Sequence, residues 1–317
     1  MGQLIKLQDY ISRYEIDHLR YPAQFMRLKK QQWLLLKEAW KNGEHLHKED
    51  PETAKEEQWG LIKKFKSILK KEKLESGLED QSKDKAEEFN FTFSPLLHYL
   101  PETEEELKKI FLDQFFSFQI KWASSTIWDQ SFVDSRYYRD DKLKYLLQRF
   151  PDTFLVFYQP VFMVKKAPVE MNVLLVTPTD IWCLVFIEEE KDEVYIGSTE
   201  HFWVKRSSRA ERKILNPVID LNRMAKIIKP ILTENDVELP VRMGIICREG
   251  YIDFPDAPYD LALIDKRRYP DWFRQQRGLH SPIKHMQLKA VKALLDNCQT
   301  SYVPRSPVEQ EIMDKSE

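Results

Sequence analysis

The chain has 317 residues, of which 42% are hydrophobic and 32% charged, with a formal net charge of -2. That balance describes a globular protein long enough for about two domains of roughly 100–200 residues, and it excludes a uniformly basic polyanion binder and an acidic solvating chain. No run approaches the roughly 20 apolar residues of a membrane span, and the N-terminus lacks the apolar core of a secretory signal, so a cytoplasmic location is expected. Met1 and Gly2 begin like a myristoylation signal, but Lys6 stands where that motif needs Ser or Thr. Cys183, Cys247 and Cys298 are far apart and odd in number, which predicts reduced thiols packed as small hydrophobes.

In chain order, Pro22 opens a helix whose apolar positions are Phe25, Leu28, Trp33, Leu36 and Trp40, and Asn42 with Gly43 closes it. Trp59, Ile62, Phe65 and Leu69 continue a second amphipathic pattern. From about 70 to 90 the chain is Lys, Glu, Asp, Ser and Gln with too little apolar surface to offset ordering entropy, and reads as a charged linker. Thr103 followed by Glu106 is a capping box, after which Leu107, Phe111, Phe115, Phe118 and Trp122 share one helical face. These elements predict an all-helical region over residues 1–130.

Beyond Trp128 the periodicity changes. Asp140 and Asp141 precede a helix with Leu143, Leu146 and Leu147 inward. Strand-like runs follow at 153–158, 161–164, 169–176, 181–187 and 194–196. The third and fourth are apolar on both faces, which predicts central strands covered on each side. Asn216 and Pro217 open a helix as N-cap and first residue, bearing Val218, Leu221, Ala225 and Ile228. Pro230 is expected to bend or end it. Further strands are expected at 241–247 and 261–264, and Ser281 with Pro282 starts a last helix carrying Ile283, Met286, Ala290 and Leu294. The fold class is therefore α/β, a mixed central sheet flanked by helices over 131–303, with a frayed tail at 304–317.

Chemistry concentrates at one hairpin. Glu170, Met171 and Asn172 lead into Val173–Val176, Pro178 sits in the turn, and the second strand runs out into Glu188, Glu189, Glu190 and Lys191. With Trp203 and the helix start Asn216, Pro217, Val218, the region from about 140 to 295 resembles the nuclease-related domain (NERD) family of the PD-(D/E)XK nuclease superfamily. The resemblance implies a restriction-endonuclease-like core, Mg²⁺ or Mn²⁺, and phosphodiester cleavage. Carried over without gaps, the first strand acid falls on Asn172, the second on Val185, the lysine on Ile187, and the helix acid near Asp140. Carboxylates hold the divalent ion and a lysine steadies the attacking water or developing charge. Val and Ile do neither, so the resemblance implies an inactive core, a pseudoenzyme acting as a binding or interaction module with no cofactor. A gapped alternative keeps an enzyme: if side chains alternate from Val185 through Ile187 to Glu189 and Lys191, a displaced site forms from Glu170, Asn172, Glu189 and Lys191, with Glu170 and Glu189 as metal ligands.

Two basic clusters point to DNA or RNA as partner: Lys205, Arg206, Arg209, Arg212 and Lys213, and then Lys266, Arg267, Arg268, Arg274 and Arg277 interleaved with Tyr269, Trp272 and Phe273. A third reading makes the N-terminal helices a protein-docking element through Trp33, Trp40 and Trp59. His45 and His47 have two-ligand spacing without a second pair, and His280 and His285 read as surface residues. No Walker loop, dinucleotide turn or nucleophile elbow is present.

Overall fold

The computed structural model describes residues 1–43, 93–126, 128–208 and 210–304. The second amphipathic pattern at Trp59 to Leu69, the 70–90 linker, His45, His47, Arg209 and the tail beyond Pro304 lie outside the described residues.

Elements in chain order are β1 (Gln3–Leu7), α1 (Arg13–Ile16), α2 (Arg20–Lys41), α3 (Glu104–Ala123), β2 (Asp129–Gln130), a 3₁₀ turn (Ser135–Arg139), α4 (Asp141–Arg149), β3 (Leu155–Tyr158), β4 (Val161–Val164), β5 (Ala167–Glu170), β6 (Val173–Val176) and β7 (Ile181–Phe186). There follow β8 (Val194–Ile196), β9 (Phe202–Arg206), β10 (Glu211–Leu215), α5 (Pro217–Glu234), β11 (Val241–Ile246), β12 (Tyr251–Asp253), β13 (Leu261–Ile264), α6 (Tyr269–Arg277), α7 (His285–Leu295) and β14 (Val303–Pro304). The main sheet runs β1-β3-β6-β7-β11-β13. Strand β6 is antiparallel to both of its neighbours, β3 and β7, whereas β1 joins β3, and β11 joins β7 and β13, in parallel. The mixed α/β sheet flanked by helices is as the sequence predicts.

Alternation along the strands sends side chains to two cores. Leu155, Phe157, Leu174, Val176, Cys183 and Val185 pack with the aromatic face of α3 and with α5 and α7. Val156, Tyr158, Val173, Leu175, Trp182 and Leu184 pack with α4 and with Trp272 of α6. Both faces of the sheet are thus covered, which is why its central strands read as continuous apolar runs. A smaller sheet, β10-β9-β8-β12, stands beside the main one.

Four expectations are corrected. Residues 1–130 are not all-helical, because Gln3–Leu7 form an edge strand paired to β3, and Ile5, Phe25, Leu36 and Phe115 belong to the same core as Leu155 and Leu174. The run at 169–176 is two strands: β5 pairs with β4 as a side ribbon and β6 pairs inside the main sheet. The break falls at buried Met171, whose N–H donates to the Pro160 carbonyl at 2.9 Å. Pro230 lies within α5, which continues through buried Ile231 and Leu232 to Glu234. The last helix begins at His285 rather than at Ser281.

Candidate functional site

Parallel strands β1, β3, β7 and β11 present their C-terminal ends on one edge of the sheet, where antiparallel β6 begins, and ligands of open α/β sheets favour such an edge. A cleft of about 450 Å³ lies there, lined by Gln159, Glu170, Met171, Asn172 and Arg223 among others. Arg223 reaches it from α5, donating to the Glu170 carbonyl at 3.4 Å and to Asp220 at 2.9 Å.

Beside the cleft, Tyr137, Gln8 and Gln159 form a polar cluster that no motif or periodicity singles out. The Tyr137 hydroxyl is 3.0 Å from the side-chain amides of both Gln8 and Gln159 and accepts from Arg136 at 2.7 Å. Gln8 and Gln159 close β1 and β3 with left-handed backbones, φ +48° and +50°. Such positions are sparsely populated by residues with a Cβ and persist where surrounding contacts hold them. Here the Gln8 N–H donates to Tyr158 O at 2.9 Å and the Gln159 N–H to Asn172 O at 2.8 Å.

Of the expected nuclease positions, Asn172, Val185 and Ile187 lie toward this edge on the face of Leu174 and Cys183, whereas Asp140 bonds Tyr158 in the core on the other face. The last β6–β7 pair is Val173 opposite Leu184, and one further step sets Asn172 opposite Val185. The hairpin therefore carries no slip. Val185 is 6% exposed, and Ile187 packs partly buried against the core. Asp140 caps α4, its Oδ1 accepting from the N–H groups of Lys142 and Leu143 at 2.9 and 3.0 Å, while its Oδ2 accepts from the Tyr158 hydroxyl at 2.6 Å. Burial, then that bond to Asp140, holds the Tyr158 phenol well above its usual range.

The displaced arrangement of Glu170, Asn172, Glu189 and Lys191 is not built. Strand β7 ends at Phe186, so alternation does not extend to Glu189 and Lys191. Glu170 ends β5 in the side ribbon. Glu189 turns toward the smaller sheet, where it accepts from Lys205 at 2.7 Å and pairs with Arg212. Lys205 also pairs with Glu193, whose side chain is fully buried and accepts from the Tyr195 hydroxyl at 2.7 Å. The Lys205 bond holds the Glu189 carboxyl below its ordinary value. For Glu193, burial pushes upward but the bonds from Lys205 and Tyr195 outweigh it, and the net direction is also down. Lys191 is exposed in the next turn, where Asp192 pairs with Lys266 at 2.6 Å. Among the described residues, no group of three or more His, Cys, Asp or Glu side chains is arranged to hold a metal ion.

The basic candidates are mostly neutralised. Beside Lys205 and Arg212, Arg206 donates to Glu211 at 2.9 Å, and Arg267 donates to buried Asp265 at 2.8 Å. Arg268 contributes its backbone N–H to Asp265 at 3.3 Å and keeps an exposed side chain. Glu211 and Asp265 stand within or beside the basic runs themselves, whereas Glu189 lies well before Lys205 and Arg212, so that pairing is not visible in the run alone. Trp33 packs edge-on against Phe111 and the Trp40 N–H donates to the Pro101 carbonyl at 2.8 Å, so both serve this chain's own packing. Burial raises all three thiols to about 12, as suits cysteines that fill space. No described helix is long and apolar enough to cross a membrane.

A 40-residue stretch of the chain is 58% identical to an RNA 2',3'-cyclic phosphodiesterase of Geobacillus stearothermophilus. The match spans 13% of this chain and 13% of that protein. No family model matches the chain, and no solved structure matches it.

Proposed function

We propose that this protein is a NERD-like member of the PD-(D/E)XK group, with a restriction-endonuclease-like core that has exchanged its metal-holding side chains for apolar ones and works as a nucleic-acid-binding module. The carrying observation is the register that sets Asn172 opposite Val185, with Ile187 next along the chain. The layout supports the reading as well: a helix capped by an acid, the hairpin, then α5 crossing to a parallel strand. Mg²⁺ or Mn²⁺ does not fit these residues. Val185 and Ile187 offer no oxygen, Asn172 no charge, and both oxygens of Asp140 are engaged by the fold. No cleavage step is therefore assigned.

The test uses the full chain with labelled single- and double-stranded DNA and RNA in Mg²⁺ or Mn²⁺. The expected result is binding without strand scission. Scission abolished by Glu189→Ala would establish the displaced-site enzyme instead. In the triple variant Asn172→Asp, Val185→Glu, Ile187→Lys, calorimetry is expected to detect Mn²⁺ uptake that the parent chain lacks.

A further inference from the structure

At the opposite edge of the sheet, the segment entering β3 (Phe150, Pro151, Asp152) meets α2, α3 and the end of α6 around a pocket of about 570 Å³. Its walls are of two kinds. Trp33, Phe111, Leu112 and Phe150 are apolar, while Lys29, Lys30, Lys108, Arg149 and Arg277 bring positive charge. A second pocket, of about 630 Å³, shares Arg277 and His280 with the first and continues past Tyr269 and Phe273. Those two rings stack at 5.6 Å with an interplanar angle of 16°.

The charge here differs from that of the basic clusters near β9 and α6's start. Among the described residues, one carboxylate lines the two pockets, Asp152, and it is taken by Lys29 at 2.6 Å. Among the described residues, no ion pair involves Lys30, Lys108, Arg149 or Arg277. Arg149 and Arg277 sit in the last turns of α4 and α6, where the helix end itself favours a cation. Lys30 lies mid-helix, and Lys108 lies one turn after Glu104, whose carboxylate Lys37 takes.

We infer that these joined pockets form a groove for single-stranded nucleic acid, with phosphates held by Lys30, Lys108, Arg149 and Arg277 and bases laid against Trp33 and the Tyr269–Phe273 pair. Cations without an ion-pair partner among the described residues suit an unpaired strand where they stand beside aromatic side chains, as Arg277 does over the Phe273 ring at 5.6 Å, since every phosphate is anionic and every base has a face to stack. Two pockets in series fit consecutive nucleotides better than a lone mononucleotide. The inference rests on the reading of this chain as a non-cleaving nucleic-acid binder, and it moves the contact surface from Lys205, Arg206, Arg212, Arg267 and Arg268 to the far edge of the sheet.

The experiment measures fluorescence anisotropy of a labelled 12-nucleotide single strand with the full chain, over a salt series, against three competitors: the matching duplex, adenosine monophosphate and vesicles of anionic phospholipid. Lys30→Glu, Lys108→Glu and Arg277→Glu combined change exposed positions, and circular dichroism checks the fold. That variant is expected to bind at least about tenfold more weakly and to lose about two to three units of salt slope. The neutralising pair Lys30→Gln, Lys108→Gln should show a smaller loss in the same direction, and the control pair Lys213→Glu, Arg268→Glu should stay within about twofold of the parent. Groove variants that bind like the parent overturn the groove while leaving the binding module. Competition by the monophosphate or by vesicles as effective as that of unlabelled strand also overturns it. A parent chain that binds no strand removes the groove and the nucleic-acid partner together, whereas scission of the strand refutes the non-cleaving reading itself.

Discussion

Asp140, which the nuclease resemblance marks as a helix acid, has both carboxylate oxygens engaged by the fold. Its Oδ1 caps α4 through two backbone N–H groups, and its Oδ2 takes the Tyr158 hydroxyl at 2.6 Å, which ties the helix to the end of β3. Loss of a side-chain cap costs about 1 kcal/mol, and a hydrogen bond to a charged group contributes roughly 1.5–3 kcal/mol. Tyr158→Phe is therefore expected to lower unfolding free energy by about 1.5 kcal/mol, and Asp140→Ala by about 2–3 kcal/mol. Because the two share one bond, the double variant should lose less than the sum of the singles. Denaturant titrations of the four proteins measure this, and additive losses would mean the bond contributes nothing. An acid reserved for catalysis would show the reverse pattern, with little change in stability.

At the scale of elements, the smaller sheet depends on charges taken out of water. Glu193 at the start of β8 is fully buried and pairs with Lys205 of β9, itself 5% exposed. Glu193→Gln leaves buried Lys205 with Glu189 as its remaining partner and removes one charge-assisted bond, so it is expected to cost about 2 kcal/mol. Both Glu193 and Glu189 have carboxyls held below the ordinary value of 4.5, so more protons bind the unfolded chain than the native one in acid. Their stabilisation is complete above that pH and is lost as pH falls through the native values. Plots of unfolding free energy against pH should thus fall less steeply below about pH 4.5 in Glu193→Gln than in the parent; equal slopes would show that the carboxyl does not titrate with folding. Long apolar elements were legible from sequence for a simple reason. Strands β6 and β7 are covered on both faces and α3 carries a continuous aromatic stripe, so their periodicity is their burial. Strands β9 and β10 are half exposed and rich in Lys and Arg, and their residues resemble a solvated surface until buried Glu193 and exposed Glu189 are seen paired with Lys205. The hairpin register followed from the short Thr177 to Asp180 turn. The cluster of Gln8, Tyr137 and Gln159 beside the cleft did not, because three positions remote in sequence converge only once β1 lies beside β3.

At the scale of the whole molecule, β1 decides where the folding unit begins. It is five residues long, too short for its periodicity to stand out, and it carries buried Gln3 and Lys6, which disguise a buried edge strand as a polar segment. Lys6 is accommodated because Glu15 and Thr300 accept from its ammonium at 2.6 and 2.7 Å, joining the two ends of the described chain. The Gln3 amide donates to the Asp152 carbonyl at 2.7 Å, fixing β1 beside the entry to β3. Removing β1 leaves β3 as a sheet edge with unpaired N–H and C=O groups, and removing α2 and α3 uncovers Leu155, Phe157 and Leu174 on the face they pack against. A fragment of residues 131–303, the boundary that sequence composition indicates, is accordingly expected to expose an apolar sheet face and to aggregate or melt without cooperativity. The full chain is expected to lose its near-ultraviolet circular dichroism in one transition that includes signals from Trp33 and Trp182 alike, because both tryptophans join cores built on the same six strands. A soluble fragment with a sharp melt close to that of the full chain would show that the α/β core folds without its N-terminal cover, and would restore a domain boundary near residue 130.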